Sequence, residues 1–161
     1  MKKMEFSITI NASPDKVWDI IIGKESYEQW TAAFCEGSTV KTDWKKGSKA
    51  LFLDGKGSGM VSEIVESIPG KFLSIHHLGE VKDGVEDPTT YKAEEWGDAC
   101  ENYTLKDVDG KTLWLVNMDM NDEYVKYMEE TWPIALAKVK ELAEKNEVLT
   151  TNDDRPIGVQ L

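Results

Sequence analysis

The chain has 161 residues, of which 40% are hydrophobic and 30% charged, and its formal net charge is −11. This length and composition are typical of one globular domain with its own core. The negative charge argues against nucleic acid and an anionic membrane as partners, since both would repel the protein. No apolar run approaches the roughly 20 residues of a membrane-spanning helix.

The first residues, MKKMEFSITI, alternate polar and apolar side chains, which predicts a strand rather than a signal peptide. The two cysteines, Cys35 and Cys100, lie far apart and have neither CxxC nor zinc-ligand spacing. We therefore expect reduced thiols in a cytoplasmic protein, with a disulfide as the less favoured alternative. The sequence predicts no metal site and no cofactor.

Two short helices are predicted after this strand. Ser13 is a suitable N-cap for the first helix, and Pro14 suits its first helical position. Gly23 ends this helix, and the segment KESYEQW predicts a second short helix that carries Tyr27 and Trp30.

From about residue 37 the apolar residues repeat with period two, and turn sequences such as LDGKGSG, SIPGK and DVDGK interrupt the pattern. Short turns between consecutive strands predict an antiparallel sheet. With the first strand, the sequence predicts seven strands, the other six near residues 37–43, 48–54, 59–67, 71–79, 98–107 and 111–119.

A long amphipathic helix is predicted after the strands, and Pro133 inside its pattern should kink it. The sequence therefore predicts a single α+β domain at residues 1–146, in which a curved antiparallel sheet wraps around the long helix. Residues 147–161 are expected to form a loosely held C-terminal tail. The apolar stripe of the helix consists of Val125, Met128, Trp132, Ala135, Val139 and Leu142.

Several segments carry a family resemblance that covers roughly residues 4 to 146. The stretches INASPDKVWDII, IPGKFLS, ENYTL and YMEETWPIALAKVKEL resemble the START-related (SRPBCC, birch-pollen-allergen-like) superfamily. Within it they look nearest to bacterial proteins similar to activators of the heat-shock protein 90 ATPase. The resemblance implies the helix-grip fold. It also implies a hydrophobic or lipid-like ligand, since START-related proteins commonly carry such molecules.

The only two histidines, His76 and His77, are adjacent in the predicted strand 71–79. Successive strand residues point to opposite faces, so the two imidazoles should neither chelate one ion nor share one proton-transfer role. Leu73 and Ile75 have the parity of His77. We therefore expect His77 to face the interior and His76 to be solvated.

The turn in LKDVDGKTL allows two registers for the hairpin that contains it. A two-residue Asp109–Gly110 turn sets Leu105 opposite Trp114, whereas a three-residue loop with a left-handed glycine sets Leu105 opposite Leu113. The second register is favoured, because it directs a row of leucines inward, as the family pattern does. It leaves Trp114 facing outward, which would indicate a homodimer surface.

The three-residue loop also brings Glu101 opposite Asn117. Pairing of Ile75 with Tyr103 would bring His77 opposite the same carboxylate, so that a polar row crosses three strands at one end of an apolar face. A carboxylate beside an imidazole favours the charged histidine, while burial opposes it. A purely structural role for this row is favoured over ligand orientation, because ion-paired groups often have no chemistry.

The favoured function is the binding of a small apolar or amphipathic molecule in a cavity between the sheet and the long helix. The alternative is an enzyme of the cyclase or hydratase type, with His77 and Glu101 as an acid–base pair and Tyr103 as a proton donor. No nucleophile motif or metal set accompanies the pair, so an enzyme is less favoured. The predicted ligand-binding residues are Trp30, Phe52, Ile75, His77, Glu101, Tyr103, Leu113, Leu115, Asn117, Met128, Trp132 and Leu136.

The segment at residues 80–97 is long for a connection inside a compact domain. We expect it to cover one mouth of the cavity, with a solvated connection as the alternative. The family resemblance further implies a protein-interaction role with the chaperone. Activators of that kind carry a further domain beyond the one that these residues resemble, so a chaperone partner is less favoured.

Overall fold

The computed structural model describes residues 2–91 and 100–152. Strand β1 (Lys2–Ile10) is followed by helices α1 (Pro14–Ile22) and α2 (Lys24–Thr31). A short 3-10 helix (Asp122–Tyr124) leads into the long C-terminal helix α3 (Val125–Asn152). Between α2 and the 3-10 helix lie β2 (Thr39–Lys41), β3 (Lys49–Leu53), β4 (Gly59–Ile68), β5 (Phe72–Lys82), β6 (Val85–Asp87), β7 (Cys100–Val108) and β8 (Lys111–Met120).

The described strands form one antiparallel sheet in the order β1-β8-β7-β5-β4-β3-β2. This path contains the seven predicted strands, and the curved sheet with its long C-terminal helix confirms the predicted helix-grip fold. The short strand β6 pairs with β5 and is an addition inside the segment that was predicted as a loop. Within residues 2–91 and 100–152, no helix has the length and apolarity needed to cross a membrane.

The helix boundaries after β1 agree with the predicted signals. The Ser13 hydroxyl accepts a hydrogen bond from the Lys16 backbone N–H at 3.3 Å, and Pro14 occupies the first turn. Gly23 closes α1 by donating its N–H to the Asp19 carbonyl at 2.9 Å. A Cβ at Gly23 would lie only 2.6 Å from that carbonyl oxygen, so the tight junction between α1 and α2 requires glycine.

Helix α3 packs against β1, α1 and α2, and it continues through Pro133. Trp132 stacks on Phe6 of β1 with ring centroids 5.9 Å apart. Burial of each large apolar side chain of the stripe stabilises the fold by about 1.5–3 kcal/mol. The helix extends to Asn152, beyond the domain boundary predicted at residue 146, and residues 153–161 of the predicted tail lie outside the described residues.

The β7–β8 hairpin adopts the two-residue turn, so the prediction of a three-residue loop is wrong. Leu105 pairs with Trp114, and Asp109 and Gly110 have φ angles of 55° and 86°. A type I′ turn requires positive φ at both central residues, and its twist matches that of the flanking strands. Trp114 is fully buried on the inner face of the sheet, so the indication of a dimer surface at this residue is also wrong.

This one-residue difference in register reverses the facing of every side chain on β8. Trp114, Val116 and Met118 are buried on the inner face, which packs against α3. The three β8 residues predicted to line the cavity therefore lie on the opposite, outer face, where they are half-buried. These misplaced residues are Leu113, Leu115 and Asn117.

Candidate functional site

A cavity of about 250 Å³ lies between the inner face of the sheet and the helices. Eight of the described lining residues are aromatic and six more are isoleucine, leucine or methionine, so most of the lining is apolar. Cys35 and Tyr127 are exposed members of the lining and mark where the cavity meets solvent. The lining consists of Ile21, Tyr27, Trp30, Thr31, Phe34, Cys35, Ser38, Trp44, Phe52, Leu53, Asp54, Gly59, Met60, Ile75, His77, Glu101, Tyr103, Met118, Tyr127, Met128 and Trp132.

The predicted ligand-binding residues are divided by the structure into three groups. Eight line the cavity: Trp30, Phe52, Ile75, His77, Glu101, Tyr103, Met128 and Trp132. Leu136 is buried in the core that surrounds the cavity but is not part of its lining. The remaining three, Leu113, Leu115 and Asn117, lie on the outer face of β8, because the predicted register of the β7–β8 hairpin was wrong.

A chain of four polar side chains crosses the inner face at one end of the cavity. The Ser62 hydroxyl lies 2.7 Å from His77 Nδ1, and His77 Nε2 lies 3.1 Å from Glu101 Oε1. The Tyr103 hydroxyl donates to the other oxygen of the Glu101 carboxylate. The structure therefore joins β4, β5 and β7 through their side chains, and the histidine lies on the interior side as predicted.

The predicted row of His77, Glu101 and Asn117 is corrected in two respects. Glu101 pairs directly with Ile75, and His77 reaches it diagonally. Asn117 faces the other side of the sheet, where its side-chain oxygen accepts a hydrogen bond from Asn102 Nδ2 at 3.0 Å. The observed pairing of β5 with β7 differs from the predicted pairing by two residues. A shift by an even number of residues keeps each side chain on the same face of the sheet, so His77 still faces inward and contacts the carboxylate.

The contacts among these four polar side chains determine which of their atoms donate hydrogen bonds and which accept them. An ionised carboxylate only accepts, so Glu101 receives the His77 Nε2–H as well as the Tyr103 hydroxyl. In the neutral imidazole, Nδ1 then accepts from the Ser62 hydroxyl, and in the protonated one it donates to the same oxygen. The His77 and Glu101 side chains are 14% and 19% exposed, so both remain accessible from the cavity.

Two phenols near this carboxylate are held in their neutral form. Burial, followed by the negative charge of Glu101, raises the pKa of Tyr103 well above its ordinary value, and its hydrogen bond to that carboxylate acts in the same direction. Burial and the same charge raise the pKa of Tyr27, and a hydrogen bond with Ser38 partly opposes them. Both phenols therefore keep their protons at alkaline pH values at which an exposed tyrosine ionises.

An aromatic wall, formed by Tyr27, Trp44 and Phe52, faces the polar chain. The ring centroids of Tyr27 lie 6.0 Å from Trp44 and 6.4 Å from Phe52, and those of Trp44 and Phe52 are 6.2 Å apart. Phe52 also meets the imidazole of His77 in an edge contact at 5.9 Å. Phe52 therefore connects the aromatic wall to the polar chain.

The family model described as "Activator of Hsp90 ATPase homolog 1-like protein" matches residues 11–144. The chain belongs to this family. The match confirms the resemblance to START-related proteins that the sequence motifs carry. Among curated proteins, none matches the chain.

Several solved structures share the fold of this chain. The Aha1 dimer from Colwellia psychrerythraea has a TM-score of 0.68 at 19% identity, over 89% of this chain and 97% of the other. CalU16 from Micromonospora echinospora has a TM-score of 0.61 at 15% identity, over 91% and 79%. DynU16, a putative protein in the dynemicin biosynthetic locus, has a TM-score of 0.67 at 13% identity, over 91% of this chain and 48% of its own. Such identities show the fold alone.

Among the residues that sequence reasoning missed are two aromatic residues of the lining, Tyr27 and Trp44, and the member of the polar chain that lies behind His77, Ser62. Tyr27 precedes Trp30 by three positions on α2, and that helical spacing could have placed both on one face. Trp44 lies between the strands predicted near 37–43 and 48–54 and has a φ angle of 62°, so no periodicity marks it. Ser62 became visible only through the pairing of β4 with β5, which contains two register shifts and brings it opposite His77.

The predicted lid over the cavity is described only in part. The β5–β6 hairpin contacts the turn at residues 54–59, since the Gly84 N–H donates to the Gly57 carbonyl at 2.8 Å. Residues 92–99 lie outside the described residues, so the lid stays a prediction. Cys35 and Cys100 are not joined in a disulfide. In the described ranges, no three His, Cys, Asp or Glu side chains are grouped to hold a metal ion.

Proposed function

We propose that the protein binds a compact, mainly apolar small molecule in the cavity between its sheet and α3. The observation that carries this proposal is an aromatic cavity of about 250 Å³ with one polar end, formed by His77 and Glu101. Ligand sites in proteins are commonly apolar hollows with a few polar groups that fix orientation. START-related proteins commonly carry hydrophobic ligands, and this agrees with the proposal.

The size of the cavity favours a compact ligand over a long lipid. An apolar cavity of roughly 150 Å³ accepts benzene, whereas drug-sized ligands occupy about 300–1,000 Å³. A cavity of about 250 Å³ therefore suits a body of about one or two rings. A long acyl chain would extend out of it past Cys35 and Tyr127.

The polar end would orient the ligand. Tyr103 and His77 fill two acceptor positions of the Glu101 carboxylate, and its remaining lone pairs are available to a donor on the ligand. The neighbouring phenol of Tyr27 is a neutral donor. A ligand with one polar group therefore has partners at this end and aromatic contacts elsewhere.

A variant that fills the entrance tests the proposal. Cys35→Phe places a large ring in the cavity lining, whereas Glu36→Phe adds the same ring at an adjacent exposed position outside the lining. A thermal-shift screen of one- and two-ring compounds should find ligands that stabilise the wild-type protein, since a ligand at 100 times its Kd adds about 2.7 kcal/mol. Cys35→Phe should abolish these shifts and Glu36→Phe should retain them. Equal shifts in both variants would place the binding elsewhere and overturn the proposal.

Addition or elimination of water on the bound molecule, with His77 and Glu101 as acid–base pair, is the second candidate function. The observation that favours it is the 3.1 Å contact between His77 and Glu101, both of which line the cavity, beside the neutral hydroxyl of Tyr103. A ligand captured by native mass spectrometry should then be recovered with one water gained or lost. Glu101→Gln should stop that change while binding persists. If the ligand is recovered unaltered after incubation, the enzymatic function is excluded and only the binding function remains.

A further inference from the structure

We propose that the ligand is an organic cation, with an ammonium-type group attached to an apolar body of about one ring. This inference rests on the proposed function of the cavity and adds the charge of the molecule that occupies it. Three features of the lining carry it: the signs of its charges, the unused acceptor capacity of Glu101, and the aromatic wall.

The charged residues of the lining are acidic apart from one histidine. Glu101 and Asp54 both belong to it, and no lysine or arginine is among the lining residues within the described ranges 2–91 and 100–152. Asp54 accepts hydrogen bonds from the backbone N–H groups of Lys56 and Ser58 at 2.7 and 3.2 Å, which lower the pKa of its carboxyl and keep it charged. An anionic ligand would therefore meet the Glu101 carboxylate and, among the described lining residues, no basic side chain other than His77, within a chain whose net charge is −11.

His77 does not have to neutralise the Glu101 charge. Its hydrogen bonds are complete in the neutral form, because Nε2–H donates to Glu101 and Nδ1 accepts from the buried Ser62 hydroxyl. In that form the cavity contains a largely buried carboxylate with lone pairs to spare. A cation is the ligand that compensates such a charge, and a charge-assisted contact is stronger than one between neutral groups.

The aromatic residues provide the second half of a cation site. Organic ammonium groups bind over the faces of tryptophan, tyrosine and phenylalanine, because the ring quadrupole is negative there. The aromatic wall of Tyr27, Trp44 and Phe52 lines the cavity together with Trp30 and Trp132. The effect of the Glu101 charge on the Tyr27 phenol indicates that its field reaches this wall.

Three probes of one shape and different charge test the inference. Phenyltrimethylammonium, tert-butylbenzene and benzenesulfonate have the same number of non-hydrogen atoms and are cationic, neutral and anionic. In isothermal titrations of the full chain, the cation should bind at least about tenfold more tightly than the neutral probe. The sulfonate should show no measurable binding. A trimethylammonium group has no N–H, so any preference measures charge rather than hydrogen bonding.

Two variants assign the preference to the carboxylate. Glu101→Gln should reduce the cation-to-neutral ratio severalfold, because the amide keeps the shape and removes the charge, while the aromatic wall remains. Glu141→Gln makes the same change of charge at an exposed position on α3, outside the lining, and should keep the wild-type ratio. Circular dichroism of each variant shows whether it is folded. The probe comparison on the wild-type chain decides the inference even if Glu101→Gln does not fold.

The outcomes separate this inference from the proposed function. Equal or tighter binding of tert-butylbenzene overturns the cationic assignment and leaves the cavity as an apolar binding site. Binding of none of the three probes overturns both. An undiminished preference for the cation in folded Glu101→Gln would show that this carboxylate does not contribute to it, and the inference fails.

Discussion

His77 and Glu101 are in contact although they are not cross-strand partners. His77 Nε2 lies 3.1 Å from the carboxylate, while the residue directly opposite Glu101 on β5 is Ile75. The diagonal contact is held at both ends, by Ser62 behind the imidazole and by Tyr103 beside the carboxylate. The polar chain is therefore a fixed unit on an otherwise apolar face.

Ser62→Ala should destabilise the protein by about 1–3 kcal/mol, because it leaves His77 Nδ1 without its partner. Ser62 is completely buried, so water cannot easily replace the lost hydroxyl. Urea unfolding measures the loss, and Ser7→Ala on the exposed side of β1 is the matched control. If the two variants unfold at the same urea concentration, the hydrogen bond to Ser62 does not hold the histidine.

Trp114→Ala should lower the free energy of unfolding by about 3–5 kcal/mol, since it leaves a cavity in the core. The Trp114 ring contacts Trp30 and Tyr103 edge-on, with centroids 5.8 and 5.5 Å apart. Leu113→Ala, on the outer face, should cost much less. Urea unfolding of the two variants compares them, and a larger loss for Leu113→Ala would contradict the observed register.

Gly110→Ala should destabilise the β7–β8 hairpin by about 1 kcal/mol through backbone strain alone. Gly110 has a φ angle of 86°, and a Cβ at this position would meet no atom within 4 Å. Asp109→Gly relaxes the same turn and should not destabilise the protein. Chemical denaturation of both variants checks the prediction, which fails if Gly110→Ala is as stable as the wild-type protein.

Stability should decline with rising pH above about 10, where tyrosines of the unfolded chain ionise. The raised pKa of Tyr103 means that the folded protein keeps a proton that the unfolded chain releases. The stabilisation is therefore fully present below about pH 10 and is lost as pH rises further. Tyr103→Phe should show a shallower decline in urea unfolding measured at several alkaline pH values. An identical slope would mean that the phenol is not held neutral by its surroundings.

The sequence predicted the fold because its signals are local and agree with one another. Each signal specifies one element: period-two runs specify the strands, Ser13 and Gly23 mark the start and end of α1, and the apolar stripe specifies α3. The side on which His77 lies was also predictable, since it follows from parity with Leu73 and Ile75 alone.

The sequence could not settle the register of the last hairpin. The segment LKDVDGKTL is compatible with two turns, and the choice between them moves every β8 side chain across the sheet. This explains why Leu113 and Asn117 were misplaced while Met118 was missed. Trp44 reaches the site because its backbone is irregular, and Ser62 because the pairing of β4 with β5 is bulged. Neither feature produces a periodic pattern in the sequence.

The most direct test of the binding site is a measurement of intermolecular nuclear Overhauser effects between the best compound of the thermal-shift screen and the isotope-labelled protein. The compound should show contacts to the ring protons of Trp132 and Tyr27, and these contacts should vanish in Cys35→Phe. Contacts confined to the outer face, at Leu113 or Leu115, would contradict a ligand site between the sheet and α3.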